Sequence, residues 1–279
     1  MTAPLFIDHA LSSRFEAAEA AELSSLVRAV AARSPERGAA ALPLAGGVAA
    51  FLAPEVSASR AAGLGMNGPV EDADVTALVD FYRSRGMDAR VLVSPFAHPS
   101  LLERLGEHGF RLVDLDTLLV RRLAPAERFS VPASDVEVRV AVLADAATWV
   151  ESSLAGFGMD ASPASAASAS VFRAAFEAAC GGREIVYSMG YRGGELGGTG
   201  ALHLHGGTGY LFAASTRPAH RGRGVQTALI QARLAWAEEA GCDVAFTRTE
   251  PGSASQRNFE RLGFSPAYSL ALLVKRFAA

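Results

Sequence analysis

A chain of 279 residues, half of them hydrophobic, is long enough for two domains of ordinary size, each with its own core, and this excludes a disordered tail protein. A formal net charge of −3 gives no global attraction to nucleic acid or to an anionic membrane, so neither is expected as a partner and any anion site must be local. Only one of the 26 basic residues is a lysine, Lys275, which excludes a G-x-x-x-x-G-K-[ST] phosphate loop and leaves Schiff-base chemistry a single candidate near the C-terminus.

The first thirty residues carry Asp8, Glu16, Glu19 and Glu22 where a signal peptide needs an apolar core, and nowhere do eighteen apolar residues run together. The expectation is a soluble cytoplasmic protein. In the first half, strands are expected at 48–53 and 59–66, a helix at 72–85, a strand at 89–93 and a short helix at 99–108. Gly63, Gly65 and Gly68 satisfy G-x-G-x-x-G, but they lie inside the alternating run 59–66 and Pro69 follows, so they read as strand positions ending in an Asn67–Gly68 turn. A linker is expected at 124–135, where two Pro-Ala segments interrupt the apolar pattern. In the second half, 136–142 reads as a strand, 144–155 and 165–180 as helices, and 184–191, 199–205 and 209–216 as consecutive strands. A long helix at 225–240, a strand at 243–247 and a short helix at 253–262 follow. Cys180 and Cys242 have no C-x-x-C pairing and no histidine at ligand spacing. They read as buried thiols in a reducing compartment, and no metal site is expected.

The halves repeat one another. Gly109–Phe110 precedes the apolar-basic run Leu118 to Leu123, and Gly263–Phe264 stands at the same spacing before Leu272 to Phe277. Each Gly–Phe follows a short helix, a strand and a longer helix that ends at a glycine, so four elements match in order. The chain is therefore expected to be α+β, with domains at 1–125 and 134–279, each with helices packed on a mixed sheet. The apolar terminal runs call for burial, so the expected assembly is a monomer with an internal pseudo-dimer or a homodimer.

The segment Thr216 to Thr227 carries the clearest chemistry. Arg217, Arg221 and Arg223 crowd the start of the long helix, where the macrodipole already places positive charge and each added cation costs about 0.3–1 kcal/mol. A bound anion offsets that cost. Gly222 and Gly224 let the backbone approach a pyrophosphate, with the N–H groups of the first turn as donors. The first half instead has Glu71, Asp72 and Asp74 at the matching helix start; these satisfy the dipole themselves and repel phosphate.

Arg221, Gly222, Arg223, Gly224, Val225 and Gln226 resemble the acyl-CoA loop of the Gcn5-related N-acetyltransferase (GNAT) superfamily: Arg or Gln, two residues, Gly, one residue, then Gly or Ala. Gln226 departs from the last position. Ser255 to Phe264 resembles the superfamily's short helix ending in Leu-Gly-Phe, and the likeness spans roughly 136–279. It implies a tandem pair of domains, each with a mixed, mostly antiparallel twisted sheet flanked by helices, of which the first half has lost its cofactor loop. The implied co-substrate is acetyl-CoA or another short acyl-CoA. By the same resemblance, amides at Ala214, Ser215 and Thr216 hold the pantetheine arm, Arg221 to Thr227 hold the pyrophosphate, and Ser255, Asn258 and Phe259 line the cofactor.

The implied reaction is direct transfer of the acyl group to an amine, with a small-molecule acceptor as partner. Such transfer needs a base for the amine, amide donors for the oxyanion and often an acid for the thiolate. Phe259 stands where the superfamily commonly has a tyrosine acid, so either Tyr268 or Ser255 substitutes or the thiolate leaves with solvent or substrate help. Glu250 is favoured as base over His203 and His205. The alternative is a non-catalytic acyl-CoA-binding sensor.

Overall fold

The computed structural model describes residues 5–123, 135–159 and 162–277. In chain order the elements are α1 (His9–Arg33), β1 (Ala40–Leu44), β2 (Gly47–Phe51), β3 (Ala61–Ala62), α2 (Asp72–Arg83), β4 (Ala89–Val93), α3 (Ser100–Glu107) and β5 (Arg111–Arg122). Then come β6 (Val136–Val140), α4 (Ala146–Phe157), α5 (Pro163–Ala179), β7 (Ile185–Arg192), β8 (Glu195–His205), β9 (Thr208–Thr216), α6 (Val225–Glu239), β10 (Val244–Thr249), α7 (Ala254–Arg261) and β11 (Ser265–Lys275). The expected linker lies almost wholly outside the described residues. No helix among them is long and apolar enough to cross a membrane.

Two compact units result. One comprises Phe6–Leu118 with Ala267–Ala279, and the other Leu119–Pro266 with Met1–Leu5. The terminal strand therefore counts with the first half of the chain, because Ala271–Lys275 of β11 pairs antiparallel with Ala89–Val93 of β4. The Leu272 to Phe277 run recognised as a repeat falls largely on that strand.

In the first unit the strand order is β1-β2-β3-β4-β11-β5, with β3 and β4 parallel and β1–β2, β2–β3 and β4–β11 antiparallel. Its core joins Val75, Leu78, Val79 and Tyr82 of α2 to Leu101 and Leu105 of α3 and to Val91 and Val93 of β4. Two expectations change here. The strand expected at 59–66 shrinks to Ala61–Ala62, because Gly63, Gly65 and Gly68 take φ of 74°, 73° and 137° and turn the chain out of the ladder. Helix α1, absent from the sequence reading, runs for 25 residues, capped by Asp8, whose carboxylate accepts from Leu11 N at 2.8 Å. Phe15, Leu23, Val27 and Val30 form its apolar stripe, but Glu16, Glu19 and Glu22 are buried on the same face and mask the periodicity. Arg60 pairs with Glu19 at 2.7 Å, which makes that burial tolerable.

In the second unit β6, β7, β8 and β9 pair antiparallel in sequence order, and β10 joins β9 in parallel. Trp149 of α4 packs at ring-centroid distances of 5.6 Å from Phe176 and 5.1 Å from Tyr187. A separate cluster joins Ile230 and Leu234 of α6 with Leu202, Leu211, Phe259 and Phe264. Both units are thus α+β with a mixed, mostly antiparallel sheet, and the parallel pair β3–β4 recurs as β9–β10.

Candidate functional site

The site begins where β9 parts from β10. Their parallel ladder joins Thr208, Gly209 and Tyr210 to Val244, Ala245 and Phe246, and the Tyr210 and Phe246 rings stack at 4.6 Å. One residue further on, the Thr247 hydroxyl donates to Leu211 O at 2.8 Å. Then β9 bulges: Phe212 faces Ala201 and Ser215 faces Thr199, so Ala213 and Ala214 together oppose Gly200. Ala213 has φ of 46°, a left-handed conformation that costs a non-glycine residue about 1–2 kcal/mol. A bulge takes backbone groups out of the ladder and re-aims them, which suits the expected amide donors Ala214, Ser215 and Thr216.

Both faces of the bulge are held. On one, Ser153, Thr199 and Ser215 form a buried hydroxyl chain at 2.8 and 3.3 Å, and a Cβ on Gly156 of α4 would come within 2.4 Å of Ser215 Oγ. On the other, Arg233 of α6 is 0% exposed and donates to Leu229 O, Ala201 O and Phe212 O. No carboxylate pairs with it among the described residues, and burial pulls its guanidinium down to about 9. Thr216 Oγ1, at the end of β9, is buried with no hydrogen-bond partner among the described residues.

A short turn at Pro218–His220 leads into the loop. Gly222 and Gly224 take φ of 70° and 82°, and Gly224 caps α6 with no side-chain hydrogen bond and no acidic residue in the first turn. Among the described residues, the backbone N–H groups from Gly222 to Thr227 make no close, well-aligned hydrogen bond to a protein acceptor. Exposed amides thus converge at a helix N-terminus with Arg217, Arg221 and Arg223 around them, the arrangement that binds phosphate oxygens. Part of Arg221 is engaged with the fold: it donates to Gly156 O at 3.0 Å and Thr216 O at 3.4 Å, tying the loop to the end of α4.

Gln226, the departure from the loop pattern, faces α7. It donates to Ser255 Oγ at 3.3 Å and accepts from Asn258 Nδ2 at 2.6 Å. Three residues expected at the cofactor are therefore brought together. Phe259 is 2% exposed and packs edge-on against Phe264 at 4.9 Å, which places it in the core.

The candidate catalytic groups separate. Glu250 is exposed at the end of β10, where its carbonyl accepts from Ser253 N, on the side where β9 and β10 part. His203 is buried opposite Tyr210, at the last rung of the ladder. His205 faces Thr208 at the closed end of β9, eight residues before Thr216 and so roughly 25 Å along the strand. The structure does not bring it to the splay. Tyr268 belongs to the first unit, where it donates to Glu16 Oε1 and accepts from Ser12 Oγ, both at 3.2 Å. Burial and the neighbouring Glu16 carboxylate push its phenol well up, so it holds its proton too tightly for an acid near neutral pH. Arg233 and the serine-threonine chain went unnoticed in the sequence. The alternate glycines Gly198 and Gly200 within β8 were the available signal, since they mark a close approach.

The matching helix start of the first unit is acidic. At the start of α2, Glu71 N donates to Asp74 Oδ2 at 2.9 Å, with Asp72 also in the first turn. His98 N donates to Gly65 O at 2.8 Å, and Ser100 Oγ accepts from Val70 N at 2.8 Å, stapling the loop across the strand ends. Carboxylates at this helix start offset the dipole themselves and repel phosphate.

A family model described as the acetyltransferase (GNAT) family matches residues 159–264. Among solved structures, a GCN5-related N-acetyltransferase from Kribbella flavida is 19% identical with a TM-score of 0.64, covering 99% of this chain and 98% of its own. A tandem GNAT protein from the clavulanic acid biosynthesis pathway is 18% identical with a TM-score of 0.54, covering 73% and 68%. A GCN5-related N-acetyltransferase from Sphaerobacter thermophilus is 18% identical with a TM-score of 0.51, covering 68% and 59%. No curated protein matches the chain. Residues 159–264 thus match the acetyltransferase (GNAT) family, in a chain whose fold is similar to that of solved GNAT proteins, a tandem one among them.

Proposed function

We propose that the second unit transfers an acetyl or other short acyl group from CoA to an amine of a small-molecule acceptor by direct attack. The observation that carries this reading is the start of α6, where amides without a close, well-aligned acceptor and two left-handed glycines stand among three arginines. Family and fold support the acyltransferase role in general. The orphaned Thr216 hydroxyl and the uncapped helix start fit a ligand rich in oxygen acceptors.

CoA brings an activated thioester to this site. Arg217, Arg223 and the amides from Gly222 to Gln226 bind the pyrophosphate, while Gln226, held by Ser255 and Asn258, fixes α7 against α6. The bulge at Ala213–Ala214 turns backbone amides toward the thioester carbonyl, where they stabilise the developing oxyanion. Glu250, exposed at the mouth, takes the proton from the attacking amine, directly or through water. No side-chain acid is assigned, and the thiolate departs with solvent or substrate help. A reducing, cytoplasmic setting suits the two thiols, Cys180 and Cys242.

The test is release of free thiol from acetyl-CoA across a panel of small amines. Amine-dependent release is expected, and Glu250→Gln should lower it by about 10²–10⁴-fold with acetyl-CoA affinity unchanged. Tight acetyl-CoA binding without amine-dependent release would favour the sensor reading, which the buried phenyl ring of Phe259 supports. Normal turnover and pH dependence in Glu250→Gln would return attention to His203.

A further inference from the structure

We propose that Arg233 is a positioning residue that holds the β9 bulge in the geometry receiving the thioester end of acyl-CoA; this rests on the function proposed above. Its guanidinium lies in the space a β8 side chain would occupy, since a Cβ on Gly200 would meet Cζ at 3.0 Å and Nη1 at 3.1 Å. Gly200 is also the single residue that faces both bulged residues, Ala213 and Ala214. From there Nη1 donates to Ala201 O at 3.0 Å and to Phe212 O at 3.4 Å, the carbonyls of the last regular pair before the bulge. Nε donates to Leu229 O at 2.9 Å, which anchors the group to α6.

A buried cation without a carboxylate is an expensive core residue, and an apolar side chain of similar volume is often neutral or stabilising in its place. The guanidinium is not arranged for its own satisfaction either: Nη2 is buried without a partner among the described residues, while the strand carbonyls are served. Strain stands beside it, in the left-handed backbone of Ala213. Such strain persists where the surroundings over-determine it, and it concentrates at functional sites. Arg233 is the group that does this for β9 from the α6 side, while the helix start some two turns earlier addresses the phosphates. One helix therefore serves both ends of the same ligand.

The test uses the full chain and two probes: acetyl-CoA, and 3′-phosphoadenosine 5′-diphosphate, which keeps the phosphates and lacks the pantetheine thioester. Losing charge-assisted hydrogen bonds at the bulge, Arg233→Met should weaken acetyl-CoA by about tenfold or more and leave the nucleotide fragment within about twofold. Arg233→Lys, which keeps the charge with a shorter reach, should lie between. Gly200→Ala displaces the guanidinium without removing it and should show the same selective loss, so it decides the matter if Arg233→Met does not fold. Equal loss of both probes would mean general damage, and no loss would mean a structural arginine; either overturns the proposal. Wild-type protein that binds neither probe would overturn the acyl-CoA reading itself.

Discussion

Gly224→Glu is expected to abolish measurable acetyl-CoA binding while the protein stays folded. Gly224 has φ of 82°, so any side chain there brings about 1–2 kcal/mol of backbone strain, yet a Cβ would meet nothing within 4 Å. A carboxylate at the start of α6 returns about 0.3–1 kcal/mol through the helix dipole, so the net loss of stability is small. Binding responds differently. A negative charge about 4 Å from a phosphate costs about 4 kcal/mol at an effective dielectric of 20, which is several hundredfold or more in affinity. Gly224→Ala separates the two effects, since it carries the strain without the charge and should lose about tenfold at most. Calorimetric titration of the three proteins reads both numbers. Undiminished affinity in a folded Gly224→Glu would put the phosphates elsewhere.

Phe259→Tyr is expected to destabilise the second unit and to leave turnover no higher. The resemblance to the superfamily suggests that a phenol here restores an acid, but the ring is 2% exposed and packed against Phe264. Its other neighbours in the core include Leu119, Leu211 and Leu262, which offer a hydroxyl no side-chain partner. A buried hydroxyl without a partner costs about 1–3 kcal/mol. For a chain of this size each kcal/mol lowers Tm by roughly 2–4 °C. An unchanged Tm with faster amine-dependent thiol release would show that the hydroxyl reaches the site after all.

The parts of the site that depend on neighbouring residues were legible in the sequence. The Arg-Gly-Arg-Gly loop stands out in the sequence because glycines and like charges crowd a helix start, and α6 begins at the expected residue, Val225. The acidic start of α2 was equally readable, and there Asp74 accepts from Glu71 N. What the sequence concealed depends on distant partners. Helix α1 hid because Glu16 and Glu19 break its apolar stripe, and Tyr268 and Arg60, which pair with them, lie far along the chain. Arg233 reads as an ordinary helical arginine until Gly200 of β8 leaves room for it. Tyr268 follows Phe264 closely in sequence. The chain passes into β11 of the first unit within that interval.

The most direct measurement is the stoichiometry of acetyl-CoA binding to the full chain by calorimetric titration. The start of α6 at Gly224 has no acidic residue in its first turn, whereas its counterpart at Glu71 carries the carboxylates of Glu71, Asp72 and Asp74. A single site per chain, lost in Gly224→Glu, is the predicted result. Two equivalent sites, or one site that survives Gly224→Glu intact, would contradict it.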